Sequence, residues 1–333
     1  MTPRERAGFS LSVVIPCLNE SAVLSLLKVR IAEALNALGI SWEVIFVDDG
    51  SQDDTYDQLV RMHRDDPRFK VISFSRNFGH QTAVAAGLAH TSGDVVAVLD
   101  ADLQDPPEII AECLTHWENG YHVVYCIRRK RKENIFKRAL YASFYRMLWF
   151  FADIKIPLDS GDFCVMDRVV VDLIVSMRER DIFVRGLRAW AGFRQMGITY
   201  ERAARAAGET KYPLIKLLKL ASDGIFSFTT IPLRIATWFG VATAFLCGVS
   251  LLFVASWRVL GFSFMGHTAR DLPGWAAGTV LVLLLGGLQL IFLGIIGEYI
   301  GRIYEEGKRR PRWIIKSALG VTAHAVQSAR RES

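Results

Sequence analysis

Two uncharged stretches constrain this chain more than any other feature. Residues 235–257 carry no charged side chain between Arg234 and Arg258, and residues 272–297 carry none between Asp271 and Glu298. Both exceed the roughly 20 residues that a helix needs to cross a bilayer. Inside lipid the backbone must satisfy its own hydrogen bonds, so each stretch is expected to be a helix. Two crossings bring the chain back to the side it left. Lys211, Lys216 and Lys219 precede the first stretch, and Lys308, Arg309, Arg310 and Arg312 follow the second. The positive-inside rule therefore puts both flanks, and both termini, in the cytoplasm. The segment between the stretches, with Arg258 and Arg270, is expected outside.

Composition agrees with this division. Hydrophobic residues make up 51% of the chain, above the level of an ordinary soluble protein, and most of the excess lies after Ile231. The part before it reads as a charged, well punctuated globular domain. The 40 basic and 34 acidic residues leave a formal charge of +6, which suits nucleic acid, an anionic membrane or phosphate-bearing substrates. Much of that charge flanks the apolar stretches, and no aromatic-rich basic stripe is present, so nucleic acid is not an expected partner. Five scattered cysteines with no CxxC pair indicate neither a disulfide framework nor a zinc site. The polar start MTPRERAGFS gives no expectation of a signal peptide.

From Leu11 onward, short β-branched runs alternate with longer helical ones, the pattern of a mostly parallel sheet covered by helices. LSVVIP, WEVIFVDD, FKVISFS, DVVAVLD and HVVYCIR read as strands, and residues 21–38, 54–64, 81–90 and 107–117 as helices. A further helix is expected over 133–151, an extended segment over IPLDSGDFCVMD, and a helix over 168–177. Each strand ends in polar residues that a core strand does not need. They are Asn19 and Glu20, then Asp48 and Asp49, Arg76 and Asn77, Asp100 and Asp102, and the arginines from Arg128. In open α/β sheets ligands bind outside the carboxyl ends of the strands, so these clusters are expected to face one crevice.

Asp100 and Asp102 are two apart at an extended strand end and so project to one side. Such a pair suits Mg²⁺ or Mn²⁺, which bind through one or two carboxylates plus substrate phosphates, and Gln104 adds another oxygen. The plain alternative is a solvated acidic loop. For Asp48 and Asp49 it is a turn cap ahead of Gly50 and Ser51. KYPLIKLLKLASDGIFSF mixes lysines with large apolar residues at helical spacing and reads either as a helix in the membrane interface or as a core helix. Gly297 and Gly301, with Gly294 on the same face, have the spacing that permits close helix contact, within this chain or between copies in a homo-oligomer.

SVVIPCLNE, VIFVDDGSQDDT, SRNFGHQTAVAAGL, DVVAVLDADLQDPPE and LDSGDFCVMDR together resemble the family-two glycosyltransferases. With GETKYPLIKLLKLASDGI, IPLR and LGIIGEYIGRIYEEGKRRP, the chain is similar to bacterial polyprenyl phosphate glycosyltransferases of the dolichyl phosphate mannosyltransferase-like type. The resemblance implies a Rossmann-like, GT-A type nucleotide-sugar-binding domain over 1–210, juxtamembrane interfacial helices over 211–234, a two-helix transmembrane region over 235–299 and a basic cytoplasmic tail over 300–333. It implies transfer of a sugar, glucose from UDP-glucose first, to undecaprenyl or another polyprenyl phosphate. It assigns Pro16, Leu18, Glu20, Asp48, Asp49 and Asp100 to the nucleotide. Asp100, Asp102 and Gln104 go to the metal and diphosphate, and Asp162 is the candidate base. Arg128, Arg138, Arg205 and Lys211 are expected to neutralise the acceptor phosphate and the donor. Cys126 stands where the family usually has Gly, and Cys164 with Val165 where Arg and Leu are usual.

Other readings have weaker support in the residues. A processive polysaccharide synthase usually carries QxxRW, and FVRGLRAWAGF has Arg188 and Trp190 without that motif. No GxGxxG follows the first strand, against a nucleotide-dependent dehydrogenase. A non-catalytic membrane scaffold has no use for an intact Asp100, Asp102 and Asp162.

Overall fold

The computed structural model describes residues 8–128, 160–177, 179, 182–200, 231–260 and 274–321. The chain forms two units, one from residues 1–150, 154–213 and 310–333, the other from 151–153 and 214–309. The expected helix over 133–151 and the lysine-rich segment over 211–228 lie outside the described residues.

The first unit is built on one eight-stranded sheet. Its strands are β1 (Ser10–Cys17), β2 (Ser41–Asp48), β3 (Phe69–Phe74), β4 (Val95–Val98), β5 (Val123–Arg128), β6 (Ser160–Asp167), β7 (Gln195–Tyr200) and β8 (Ile315–Leu319). Their order is β7-β5-β6-β4-β1-β2-β3-β8. The central four, β4-β1-β2-β3, are parallel and joined through helices α1 (Leu24–Asn36), α2 (Thr55–Asp65) and α3 (His80–Ala89). Helix α4 (Ile109–Glu118) leads into β5, and α5 (Arg168–Ser176) and α6 (Val184–Trp190) follow β6. The α/β expectation holds, but the sheet is mixed, because β6 enters antiparallel between β4 and β5 and β8 joins antiparallel to β3.

Strand periodicity decides which helix covers which face. Leu11, Val13 and Ile15 of β1 pack with Leu24, Leu27, Ile31 and Leu35 of α1, whereas Val14 between them packs with Val84 and Leu88 of α3. All four α1 side chains are wholly buried, each contributing about 1.5–3 kcal/mol of hydrophobic stabilisation. Helix α3 lies close on the sheet because it carries Gly87. A Cβ there would stand 2.2 Å from Val14 Cγ1.

Strand β8 falls in the stretch read from the sequence as a basic tail. It carries the chain, after the apolar helices, back to the edge of the first sheet, where Tyr56 Oη donates to Ser317 Oγ at 2.9 Å and Trp313 and Ile315 pack on Val47, Ile72 and Phe74. Ser73 pairs with Ser317 and Phe74 with Ile315, so Lys316 is the extra residue of a β-bulge, a device that re-aims a side chain.

The second unit contains α7 (Ile231–Leu260, 30 residues) and α8 (Gly274–Gly307, 34 residues). Among the described residues one segment, Leu284–Gly307 of α8, is long and apolar enough to cross a membrane, and α7 holds the shorter apolar stretch Ala236–Ser250. Trp238, Phe245 and Leu252 of α7 and Val282, Leu290 and Ile303 of α8 are each about two-thirds exposed or more. Among the described residues, a Cβ built at Gly294, Gly297 or Gly301 meets nothing within 4 Å.

Candidate active site

The parallel strands β1 to β4 end at one edge of the sheet. Strand β6 runs against β4, with Cys164 opposite Val98, so its first residues, including Asp162, lie beside the end of β4 where Asp100 follows. The topology thus brings Asp49, Asp100 and Asp162 to the same edge from three separate segments. Strand β5 runs parallel to β4 and ends there at Arg128. The side chain of Arg128, like Arg138, Arg205 and Lys211, lies outside the described residues.

The loops after β1 and β2 are laced together. Asn19, at φ 56°, donates its N–H to Ser51 Oγ at 3.0 Å and accepts from Gln52 N at 2.9 Å. Glu20 N donates to Thr55 Oγ1 at 2.9 Å and Ser21 N to Asp53 at 3.3 Å. Burial works against the Asp53 carboxylate, but hydrogen bonds from Thr55, whose N–H donates to Oδ1 at 3.0 Å, and from Ser21 bring it down to about 2. Pro16, the last residue but one of β1, stands opposite Val47, and Leu18, just past the strand, is 41% exposed.

Asp48 and Asp49 are both buried and both engaged by the fold. Asp48 accepts from Ser51 N at 3.0 Å and from Ser73 Oγ at 2.8 Å. Asp49 accepts from Phe78 N at 2.6 Å and Gly79 N at 2.9 Å. Burial raises the Asp49 carboxyl above its ordinary value despite those two N–H donors. Gly79 has φ 101°, a left-handed conformation that favours glycine, and it hands the chain directly to His80 and Gln81. A cleft of about 450 Å³ opens beside this region, lined by Asp48, Asp53, Asp57, Arg76 and the bulged Lys316.

Asp162 has a different set of partners. Arg185 holds it in a fork, Nε to Oδ1 at 2.6 Å and Nη2 to Oδ2 at 2.8 Å. Gln81 Nε2 donates to Oδ1 at 3.2 Å, and His80 Nε2 stands 3.3 Å from Oδ2 and 3.7 Å from Asp100 Oδ1. Burial opposes the charge on Asp162, yet Arg185 and His80 overwhelm it and hold the carboxyl far below the usual range. His80 shows the converse. Burial depresses it, while Asp162 and Asp100 raise it above its ordinary value. Asp100 is pushed up to about 6, by burial first and by the neighbouring charges of Asp162, Asp105 and Asp102, with His80 opposing.

Sequence reasoning missed His80, Gln81 and Arg185. The first two directly follow the cluster that ends β3, so the strand-end argument needed only to run a few residues further. Arg185 starts a short helix and carried no such signal. Although Cys164 stands where the family has an arginine, the carboxylate still has a guanidinium beside it, supplied from α6. Arg188, one turn on, is 1% exposed, with its guanidinium 5.1 Å from the Tyr125 ring.

Among the described residues no three His, Cys, Asp or Glu side chains are gathered as a metal-holding group. Strand β4 stops at Val98, so Asp100 follows the strand and Asp102 sits in a turn rather than on an extended strand end, where its Oδ1 accepts from Gln104 N at 3.1 Å. A pair fits a magnesium or manganese ion whose other ligands are substrate phosphates. The raised Asp100, crowded by like charges, is the kind of group that such a cation would relieve.

Comparison with known proteins places residues 12–174 in the family described as Glycosyl transferase family 2. The uncharacterized glycosyltransferase YkcC of Bacillus subtilis (strain 168) is 44% identical over 311 residues, 93% of this chain and 94% of that one. The prophage bactoprenol glucosyl transferase homolog of Escherichia coli (strain K12) is 37% identical over 308 residues, covering 92% and 98%. The bactoprenol glucosyl transferase of Shigella phage SfX is 38% identical over 308 residues, covering 92% and 99%.

Proposed function

The chain belongs to glycosyl transferase family 2, and from that premise we propose that it moves a hexose, glucose from UDP-glucose first, onto a polyprenyl phosphate at the cytoplasmic face of a membrane. One observation carries this reading. The family match ends at residue 174, but similarity to relatives named bactoprenol glucosyl transferase extends over 92% of the chain. It therefore takes in most of the apolar helices as well as the catalytic unit.

The acceptor phosphate is its own nucleophile. The second pKa of a phosphate monoester is about 6, so most of it is a dianion at neutral pH. A phosphate oxygen forms a bond to the anomeric carbon while the bond from that carbon to the diphosphate breaks. The electron pair leaves with the nucleotide, and the centre inverts. No proton need be removed. That agrees with an Asp162 whose lone pairs are taken up by Arg185, Gln81 and His80 and whose basicity is low. Its role is to orient the acceptor side and to favour positive charge at the anomeric carbon. Asp100 and Asp102 would hold Mg²⁺ or Mn²⁺, which offsets the charge of the leaving diphosphate. Pro16, Leu18, Glu20 and Asp49 frame the nucleotide, with Asp48 behind them.

Strand β8 supports a two-span membrane arrangement. The strand is hydrogen bonded into the sheet that residues 10–200 build, so a crossing by α8 requires a second crossing between residues 200 and 274. Helix α7, with 30 residues, is about 45 Å long and is the described helix in that interval. Two spans and two cytoplasmic termini are the reading this supports. A cysteine at Ser263 should react with an impermeant thiol reagent in intact cells and one at Ser333 should not. The reverse pattern would refute the topology. Gly294, Gly297 and Gly301 offer a face on which α8 can meet a second copy.

The functional test supplies membranes with a panel of radiolabelled UDP and GDP sugars and undecaprenyl phosphate, then extracts the lipid. Label from UDP-glucose in the lipid fraction is expected. Label from another sugar would correct the donor, and none from any donor would overturn the reading.

A further inference from the structure

Arg185 is the second residue of α6, 23 positions from Asp162 in sequence, and lies in FVRGLRAWAGF, a segment noted above only for Arg188 and Trp190. Its placement is nevertheless fixed twice through the same carboxylate. The N–H of Val184, one of the orphan donors at a helix start, goes to Gln81 Oε1 at 3.0 Å. The other end of that amide donates to Asp162 Oδ1. The guanidinium itself is forked onto both oxygens of Asp162. Backbone and head group of Arg185 are thus both referenced to Asp162, one of them by way of Gln81.

The contacts run in order from Asp100 through His80 and Asp162 to Arg185. Asp100 is the donor end of that series and Arg185 the opposite end. Side-chain exposure along it is 21% at Asp100, 45% at His80, 9% at Asp162 and 31% at Arg185, so Arg185 can be reached by a ligand from outside. A phosphate monoester bearing about −1.5 to −2 charges has to approach three carboxylates, Asp100, Asp102 and Asp162, and a cation is needed on its path. Of the two cationic side chains that touch Asp162 among the described residues, His80 stands between two carboxylates, and Arg185 has a planar guanidinium with five N–H donors, two of which the bonds to Asp162 use.

Resting on the reading that the acceptor is a lipid phosphate, we propose that Arg185 binds the acceptor phosphate and that Asp162 and Gln81 are positioning residues that present it. The carboxylate then serves by holding a cation in place. Arg185 adds an acceptor contact from the described part of the catalytic unit to those expected of Arg128, Arg138, Arg205 and Lys211.

The test measures KM for undecaprenyl phosphate and for UDP-glucose separately, with the full-length protein in detergent micelles. Arg185→Gln should raise the lipid KM about 10- to 100-fold, the effect of losing hydrogen bonds to a charged group, and shift the donor KM less than about 2-fold. Gln81→Ala should raise the lipid KM by a smaller factor. Arg185→Lys keeps the charge and a contact to Asp162 but loses the fork, so it should fall between Gln and the unmodified protein. It carries the test if Arg185→Gln does not fold. An unchanged lipid KM in Arg185→Gln or Arg185→Lys would overturn the assignment, as would a donor KM that rises in step. Failure of the unmodified protein to label undecaprenyl phosphate from any donor is a different result, and would remove the functional reading together with this one.

Discussion

Two groups of carboxylates stand at the same edge of one sheet and have different partners. At the end of β2, Asp48, Asp49 and Asp53 accept from backbone N–H groups and hydroxyls of nearby loops. At the ends of β4 and β6, Asp100 and Asp162 face a histidine, a forked arginine and each other's charge. Carboxylates that accept from backbone donors hold loops in shape, and Asp49 does so within the proposed nucleotide frame. Carboxylates set among side-chain cations and like charges are arranged for a charged ligand. In the sequence Asp48 with Asp49 and Asp100 with Asp102 look alike, as pairs of aspartates after a β-branched run, and the partners separate them.

Asp102→Ala should produce the largest effect, a fall in sugar transfer of about 10³-fold or more, the several kcal/mol a metal clamp supplies, with little change in the unfolding temperature. EDTA should give the same loss in the unmodified protein, reversible by Mg²⁺ or Mn²⁺. Full turnover in chelator would place Asp100 and Asp102 with the loop-holding group. Asp162→Asn, assayed at saturating lipid from pH 6 to pH 9, should lose about 10²-fold or more at every pH relative to the unmodified enzyme. Recovery at high pH would show that proton removal was its task.

How much of this was legible before folding depends on where the signal lies. Strands β1 to β5 are long apolar runs closed by polar residues, and each was readable. β7 was not, since in QMGITY only Ile198 and Tyr200 are buried and the segment resembles a loop. β8 follows a basic run and is half-buried on alternate residues only, so IKSAL reads as tail. Asp100 and Asp102 were legible in the sequence through chemistry and spacing, and Asp162 only through the resemblance of SGDF to a family motif. Arg185 was not, because a contact between residues 162 and 185 depends on how α6 packs, which local pattern does not encode.

On the loop-holding side effects should be smaller and of the opposite kind. Asp48→Asn leaves a donor facing Ser51 N or Ser73 Oγ and should cost about 1–3 kcal/mol of stability, with turnover per folded molecule largely kept. A collapse of turnover at full stability would move Asp48 into the chemistry. Glu43, remote from both groups, calibrates the scale. It accepts from Ser12 Oγ at 2.6 Å and Ser92 N at 2.8 Å and pairs with Lys70. Burial opposes its charge, but these partners lower its carboxyl below the ordinary 4.5. Its contribution is therefore present above that value and lost as pH falls through the lowered one. Glu43→Gln should cost about 1 kcal/mol at neutral pH, and the gap in unfolding temperature should close below pH 4.5. A gap that stayed constant into acid would show that the charge plays no part.

The most direct test of the contrast is to locate a manganese ion by its anomalous scattering in crystals of the full-length protein grown with UDP. The expected peak lies between the carboxylates of Asp100 and Asp102, against the diphosphate. A peak in the cleft lined by Asp48, Asp53 and Asp57, with none at Asp100, would contradict the division between the two groups.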